Sequence, residues 1–485
     1  MKHGIGIQEE LKFGTSGIRG RVVDFNMKSC SAYAIAFAEL LKNNFPETKQ
    51  IYMARDLRDS SPKIQKMFSD VLIQQGYKVI SAGEVPTPAL FLFAREQQAA
   101  SIMITGSHIP ADRNGVKFYT PVGEINKSHE ASIRHVYERI ISVKKYDPGL
   151  NMSFDTAFPG NVMEQEIKSQ VEAFYQQRYL DFFPTNCLTG IRAGFYEHST
   201  VGRDLFPAIL EKLGAKIIRL ERSSQFVPVD TENVSNIRDL NELLFQNDID
   251  VLISADGDAD RPLVIHKKWG QITGDVLGMV TAKFLNIENI SVPVSCTSLL
   301  DSLGYFKNIV RTKVGSPYVI EGIEQLAHAG DSVAGFEANG GFLLGSTISF
   351  LTPLPTRDVM LPVISFLTLY SNEWLQKNED KLFSRVNMSG LIKNFPGVES
   401  KKILEIVSEN PKRILEFSAK LAEELKGIED VNTVDGVKLK TTSGDCVHLR
   451  PSGNAPEFRV YVESGVKAKA ELLLKETLRF CESYR

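Results

Sequence analysis

Closely spaced cysteines are missing from this 485-residue sequence: Cys30, Cys187, Cys296, Cys446 and Cys481 are scattered, with no C-x-x-C pair. That excludes a cysteine zinc site and a disulfide framework. A run of about 18 apolar residues is also missing, and the opening MKHGIGIQEELKFG has no apolar signal stretch. The expectation is a soluble cytoplasmic protein with no membrane partner. Charge of one sign is absent too. Acidic residues (59) nearly balance basic ones (56), leaving a net charge of −3. No global positive field is available for a polyanion, so nucleic acid is excluded as a partner. Any phosphate must be held by a few placed cations. Two glycine motifs are incomplete. GTSGIRG lacks the Gly-Lys-Ser/Thr ending of a nucleotide P-loop, and GIGIQE lacks the third glycine of a dinucleotide fingerprint.

What is present is ordinary globular composition, 43% apolar and 24% charged, which gives no reason to expect long disorder. At about 150 residues per domain the length suggests three or four domains. Residues 63–76 place Ile64, Met67, Phe68, Val71 and Leu72 on one helical face, with Ser61 and Pro62 as a start signal and Gly76 as a stop. A strand feeding a proline-bearing loop, YKVISAGEVPTPAL, follows. The same grammar recurs in IRAGFYEHS, DLFPAILEKLG (Leu205, Ile209, Leu210 and Leu213 inward) and AKIIRL, and again in YVIEGIEQLAHAG before DSVAGFE. Three α/β segments thus each send a short apolar strand into a polar, glycine-bearing loop: ASIMITGSHIP, IDVLISADGDAD and DSVAGFEANGG. Ligands of parallel sheets gather beyond the carboxyl ends of strands, so chemistry is expected in these loops. The last hundred residues differ. Pro411 opens a helix running to Gly427, strand-like pieces follow, and KAKAELLLKETLRF forms a terminal helix, which suits a smaller α+β domain. The charged stretch 128–180 reads as a link between the first two domains.

In DGDADR, extended backbone would turn Asp256, Asp258 and Asp260 to one side. Three converging carboxylates suit a hard cation; a solvated acidic turn is the plain alternative. An EF-hand is excluded, because Arg261 stands where glycine is required and Lys267 where glutamate is required. Mg²⁺ is preferred, since it commonly uses few carboxylates plus phosphate oxygen. TGSHIPADRNGVK offers Ser107 beside His108, with Lys117 nearby. A serine hydroxyl needs a base or a cation to act as a nucleophile, and the alternative is a simple turn with His108 capping backbone. LRPSGNAPEFRVYVE sets Arg450, Ser452, Gly453, Asn454 and Arg459 around a turn, either a phosphate cradle or a polar hairpin. GFEANGG supplies Glu337 and Asn339, a carboxylate and an amide suited to adjacent sugar hydroxyls, or forms a plain turn.

Together these loops resemble the α-D-phosphohexomutase family, in the same order over nearly the whole chain. FGTSGIRG is similar to its N-terminal motif, TGSHIPADRNGVK to its phosphoserine loop, DGDADR to its metal loop, and RPSGNAPEFRVY to its phosphate-binding loop. GFEANGG occupies the place of its sugar-recognition loop. The resemblance implies three similar mixed α/β domains (residues 1–150, 151–265 and 266–372) and a C-terminal α+β, TATA-binding-protein-like domain (373–485) around a central cleft. It implies Ser107 as the phosphoserine and a metal contact, Asp256, Asp258 and Asp260 as Mg²⁺ ligands, and Glu337 and Asn339 as sugar contacts. Arg450, Ser452, Gly453, Asn454 and Arg459 would hold the idle phosphate, and Arg19, His108, Lys117 and Arg261 would surround the moving one. Departures from the family pattern are Ile109 after Ser-His, Ala259 for the middle glycine of the metal loop, Asn454 and Ala455 for a Thr-Glu pair, and Gly341 for a histidine proposed as a base. His108 or Lys117 would then carry the proton. The implied reaction interconverts hexose 1- and 6-phosphates, mannose first and glucose second, with a hexose 1,6-bisphosphate as intermediate and activator, in a monomer or homodimer. A phosphoglucosamine mutase, a metal-dependent sugar phosphatase and a non-catalytic phosphosugar-binding protein are the alternatives.

Overall fold

The computed structural model describes residues 11–14, 17–142, 161–327, 331–451 and 457–485. Ser452, Gly453 and Asn454 of the expected phosphate loop lie outside the described residues, as does part of the 128–180 link. The chain divides into two compact units. The first comprises Met1–Gln271, Gly341–Leu344 and Ser349–Ile364, and the second Ile272–Gly340, Gly345–Ile348 and Ser365–Arg485.

Within the first unit, two α/β sheets share one plan. In the first sheet, strand Ala100–Ile104 lies parallel to Gln50–Arg55, which is parallel to Lys78–Ser81, and antiparallel to Arg113–Thr120. In the second, Val251–Ala255 lies parallel to Arg192–His198, itself parallel to Lys216–Arg222, and antiparallel to Pro262–His266. The central parallel strands are largely buried, as sheets covered on both faces require, whereas Lys78–Ser81 and Lys216–Arg222 at the sheet edges are half-buried to exposed. Helix Ser61–Gln74 starts with a proline in its first turn and buries Ile64, Met67, Phe68, Val71 and Leu72, as the spacing predicts. Gly76, at φ +91°, turns the chain out of it. Helix Leu205–Lys212 likewise buries Leu205, Ile209 and Leu210.

In the second unit the plan appears a third time: Val333–Phe336 is parallel to Asn289–Pro293, which is parallel to Asn308–Thr312. The loops carrying Ser107, the three aspartates and Glu337 therefore follow the same strand of each repeat. The antiparallel hairpin Phe342–Leu344 and Leu354–Asp358 belongs to the first unit. The C-terminal sheet is wholly antiparallel, in the order Val386–Lys393, Glu457–Ser464, Cys446–Pro451, Val437–Thr441 and Ile428–Asn432. Its core includes Val447, Leu449, Phe458 and Val460 against Leu473 and Phe480 of the terminal helix Lys467–Glu482.

One expected helix is corrected. Helix Gly397–Glu409, which the sequence reading did not anticipate, stops at Asn410, because the residue before a proline is pushed out of helical backbone. The segment after Pro411 is then two short helices, Arg413–Phe417 and Ala419–Glu424, broken at extended Ser418, whose hydroxyl donates to Glu476 of the terminal helix. Among the described residues no helix is long and apolar enough to cross a membrane.

Candidate active site

Ser107 follows the fully buried strand Ala100–Ile104 and is itself buried, in left-handed backbone at φ +55°. Such a conformation in a non-glycine residue is strained and is held by its surroundings. The holding group is Arg58, a residue the sequence reading missed. Its guanidinium donates to the carbonyls of Ser107 (3.0 Å), Ile109 (2.6 Å), Pro110 (2.7 Å) and Arg113 (3.0 Å), and its Nε to Asp56 (3.0 Å). The Phe226 ring covers it at 3.9 Å. All five guanidinium donors thus bind, four of them directly to the serine loop. Gly106 is obligatory here, since a Cβ would stand 2.7 Å from the Arg58 guanidinium carbon. The family departure at Ile109 leaves this belt intact, because it uses only the Ile109 carbonyl.

The aspartates of DGDADR occupy a turn, where extended backbone was expected. Ala259 donates to the Asp256 carbonyl and sits at φ +57°, so the chain wraps around the three carboxylates. The left-handed position explains why glycine suits this place and shows that alanine is accommodated there. The outcome is still convergence: one oxygen of each carboxylate lies within 4.8 Å of the others, and all three residues are fully buried.

Asp258 and Asp260 each have one oxygen held and one presented, whereas both oxygens of Asp256 are engaged. Asp256 Oδ1 accepts from the backbone N–H groups of Asp260 and Arg261, and its Oδ2 accepts the Ser107 hydroxyl at 2.5 Å. Asp258 Oδ2 is held by Thr87 and Lys117 at 2.5 Å each. Asp260 Oδ2 is held by Lys117 at 2.5 Å and by Arg357 at 2.8 and 3.0 Å. Asp258 Oδ1 and Asp260 Oδ1 are buried with no hydrogen-bond partner. Two orphaned carboxylate oxygens beside a third that holds a serine hydroxyl are a donor set for a hard cation. Mg²⁺ fits it.

The electrostatics agree. Burial, reinforced by Asp258 and Asp260, pushes the Asp256 carboxyl up to about 7. Burial also opposes ionisation of Asp260, but Arg357, Lys117 and Arg261 together outweigh it and hold its carboxyl below the usual range. His108 accepts at Nδ1 from Arg261 Nη1 (3.0 Å) and lies 3.3 Å from the Ser107 hydroxyl. Arginine only donates, so the proton of a neutral His108 resides on Nε2. Arg19 is partly buried; burial, then Arg261 and Arg357, lower its pKa to about 10. Three arginines sharing one neighbourhood make a place for a dianion.

In the second unit, Glu337 and Asn339 are both buried, and the Asn339 amide donates to Glu337 at 3.2 Å. Arg450 and Arg459 stand directly opposite each other across antiparallel strands. Like charges so placed repel unless an anion or a carboxylate balances them. Asp435 accepts from Arg450 Nε at 2.7 Å, and Glu457 lies 3.6 Å from Arg459. Thus Ser107, His108, Lys117, Arg261 and the three aspartates form one connected group with Arg357, Glu337 pairs with Asn339, and Arg450 faces Arg459. The sequence reading missed Arg58, Thr87 and Arg357, whose importance lies in tertiary contacts that leave no local pattern.

Family models described as phosphoglucomutase/phosphomannomutase, alpha/beta/alpha domains I, II and III match residues 10–144, 175–270 and 273–387. The chain is 36% identical over 462 residues to a phosphomannomutase of Salmonella muenchen, covering 94% of this chain and 92% of that protein. It is 37% identical over 483 residues to a phosphomannomutase of Sinorhizobium fredii, covering 97% and 99%. A solved structure described as a putative phosphomannomutase from Thermus thermophilus matches with a TM-score of 0.74 at 21% identity, covering 98% of this chain and all of that one. With three family domains and full-length relatives above one-third identity, the chain belongs to the α-D-phosphohexomutase family, and it is a mutase of the isomerase class acting on a sugar phosphate.

Proposed function

We propose that this phosphohexomutase interconverts mannose 1-phosphate and mannose 6-phosphate through a phosphoserine at Ser107 and a mannose 1,6-bisphosphate, with glucose phosphates as second substrates. The observation that carries the chemistry is the Ser107 hydroxyl on Asp256 at 2.5 Å, beside two orphaned carboxylate oxygens. Preference for mannose rests on the 36% and 37% identity to the two phosphomannomutases, against 25% to a probable phosphoglucosamine mutase of Methanothermobacter thermautotrophicus. In this reading the domains span 1–150, 151–265, 266–372 and 373–485.

Asp256, Asp258 and Asp260 hold Mg²⁺, which when bound supplies charge neutralisation at the transferring phosphoryl group. Transfer breaks the Oγ–P bond of phosphoserine and forms an O–P bond to a sugar hydroxyl. The sugar hydroxyl proton is taken up at His108 Nδ1 once Arg261 Nη1, 3.0 Å away, releases that nitrogen for the phosphoryl group, and passes from there to Ser107 Oγ, 3.3 Å away. His108 suits this role better than Lys117, whose ammonium is committed to Asp258 and Asp260. A single acid or base gives about 10²–10⁴ of the up to ~10²¹ that phosphate-ester chemistry can demand, so electrostatic placement carries most of the rate. Arg19 and Arg261 supply that placement for the moving group. Glu337 and Asn339 take sugar hydroxyls. Arg450, Arg459, Ser452, Gly453 and Asn454 grip the idle phosphate, and the bisphosphate turns end for end before the second transfer. A hexose 1,6-bisphosphate re-primes Ser107 and so acts as activator.

The experiment compares mannose, glucose and glucosamine 1-phosphates by phosphorus NMR. Conversion of mannose 1-phosphate to its 6-phosphate fastest of the three is expected. Release of free phosphate instead would make the enzyme a phosphatase and overturn the reading. Ser107→Ala should abolish turnover, and a fully active variant would remove Ser107 as the phosphoryl carrier.

A further inference from the structure

Three consecutive residues of strand Leu354–Asp358 each bind a different part of the first unit. Thr356 donates to Glu124 at 2.9 Å, in the short strand Gly123–Glu124. Arg357 grips Asp260 of the metal loop through Nε and Nη2. Asp358 accepts the hydroxyls of Tyr175 and of Tyr179, the latter at 2.5 Å, both from helix Asn161–Phe182. Thr356, Arg357, Asp358 and both tyrosines are buried at 1% exposure or less. Arg357 is thus fixed by its neighbours on both sides in the chain.

Gly341 explains how its stem fits. A Cβ there would stand 2.4 Å from both Cγ and Cδ of Arg357. The glycine that departs from the family's histidine is therefore the space in which Arg357 lies. An arginine stays protonated, so it cannot carry the proton that a histidine would.

What Arg357 does is specified by which oxygen it holds. Two donors of a planar guanidinium on Asp260 Oδ2 orient the carboxylate and leave Oδ1 without a hydrogen bond, with Arg261 Nε 3.8 Å from it. Lys117 also touches Oδ2, but it is a point charge on a flexible stem and shares itself with Asp258. Asp258 and Asp260 each then present a single oxygen, beside the Asp256 oxygen that holds the Ser107 hydroxyl. One-toothed ligation by few carboxylates suits Mg²⁺, whereas Ca²⁺ takes six to eight oxygens, often two from one carboxylate.

We propose that Arg357 is a positioning residue that makes Asp260 a one-oxygen ligand, selecting Mg²⁺ over Ca²⁺, and that Gly341 exists to admit its stem. The proposal rests on the reading of the three aspartates as the metal site. Its test is binding, without turnover: Mn²⁺ titration followed by electron paramagnetic resonance, with Mg²⁺ and Ca²⁺ as competitors, on the full-length protein and its variants. Removing a cation changes the affinity for both divalent ions alike, so the ratio of the two isolates geometry. Arg357→Met is expected to shift the ratio toward Ca²⁺ by about tenfold, the lower end of what partners of metal ligands contribute. Gly341→Ala retains the guanidinium charge but displaces the stem, and should shift the ratio the same way; it decides the matter if Arg357→Met does not fold. Unchanged ratios in the folded variants would overturn the proposal while leaving the metal site standing. A parent protein that binds no divalent ion would instead overturn the site reading itself.

Discussion

Replacing Arg58 by alanine should cost both stability and turnover. Four loop carbonyls lose their Arg58 donor at once, and Asp56 loses its cation while keeping the Ser61 and Thr105 hydroxyls. Removing one partner of a buried ion pair costs about 3–5 kcal/mol, and an unsatisfied buried carbonyl about 1–3 kcal/mol where water cannot reach it. The vacated volume admits water to some of these groups, so about 4 kcal/mol is the working figure. At about 2–4 °C per kcal/mol for a unit of this size, the melting transition of the first unit should fall by about 8–16 °C. Arg58→Lys keeps a cation beside Asp56 but offers three donors where five were used, so about half that loss is expected. In either variant the Ser107 loop loses its fixed position. A misplacement of about 1 Å can cost about 100-fold in rate, so kcat should fall by that order while KM changes little. Calorimetry and steady-state kinetics on both variants read the effect. An alanine variant that melts within about 2 °C of the parent, or that retains half its kcat, would refute the belt.

Other outcomes follow from the same structure. Asp435 accepts from Arg450 Nε at 2.7 Å and from the Val314 backbone N–H at 2.9 Å, so it aims an arginine of the proposed phosphate cradle. Asp435→Ala should raise KM about tenfold, equivalent to about 1.4 kcal/mol, with kcat less affected; a KM unchanged in that variant would remove Asp435 from substrate binding. Burial lowers the pKa of both His198 in the first unit and His448 in the second to about 4. The unfolded chain takes up these protons near the ordinary histidine value of about 6.5, so stability present above that pH is lost as pH falls toward 4, by about 1.4 kcal/mol per pH unit for each group. Denaturant melts at pH 7.5 and pH 5 should show the loss in both units, and pH-independent midpoints would contradict it. Tyr179→Phe removes one of two hydroxyl donors to buried Asp358 and should cost about 1–3 kcal/mol, read as a lowered melting temperature; an unshifted transition would count against the clasp.

What the sequence made legible was what neighbouring residues decide. The helix at 61–74 followed from its apolar spacing and its proline start, and the repeated strand-to-loop plan from three apolar runs ending in glycine-bearing loops. The convergence of Asp256, Asp258 and Asp260 was also readable, although the turn that achieves it was not, because Ala259 carries no signal for left-handed backbone. The segment after Pro411 misled for a tertiary reason: its helical pattern is continuous, and the break at Ser418 depends on Glu476, about sixty residues later. Arg58 and Arg357 were invisible in the same way. Each is an ordinary arginine until folding brings carbonyls or a carboxylate to it.

The clasp at Thr356, Arg357 and Asp358 has a temporal side. The first unit is complete only when the segment ending at Ile364 joins it. During synthesis at about 5–20 residues per second, the roughly ninety residues after Gln271 take several seconds to emerge. For that interval Asp260 has Lys117 but lacks Arg357, and Tyr175 and Tyr179 lack Asp358. A chain cut after Gln271 would keep every residue of the serine and metal loops and still stay in that unfinished state.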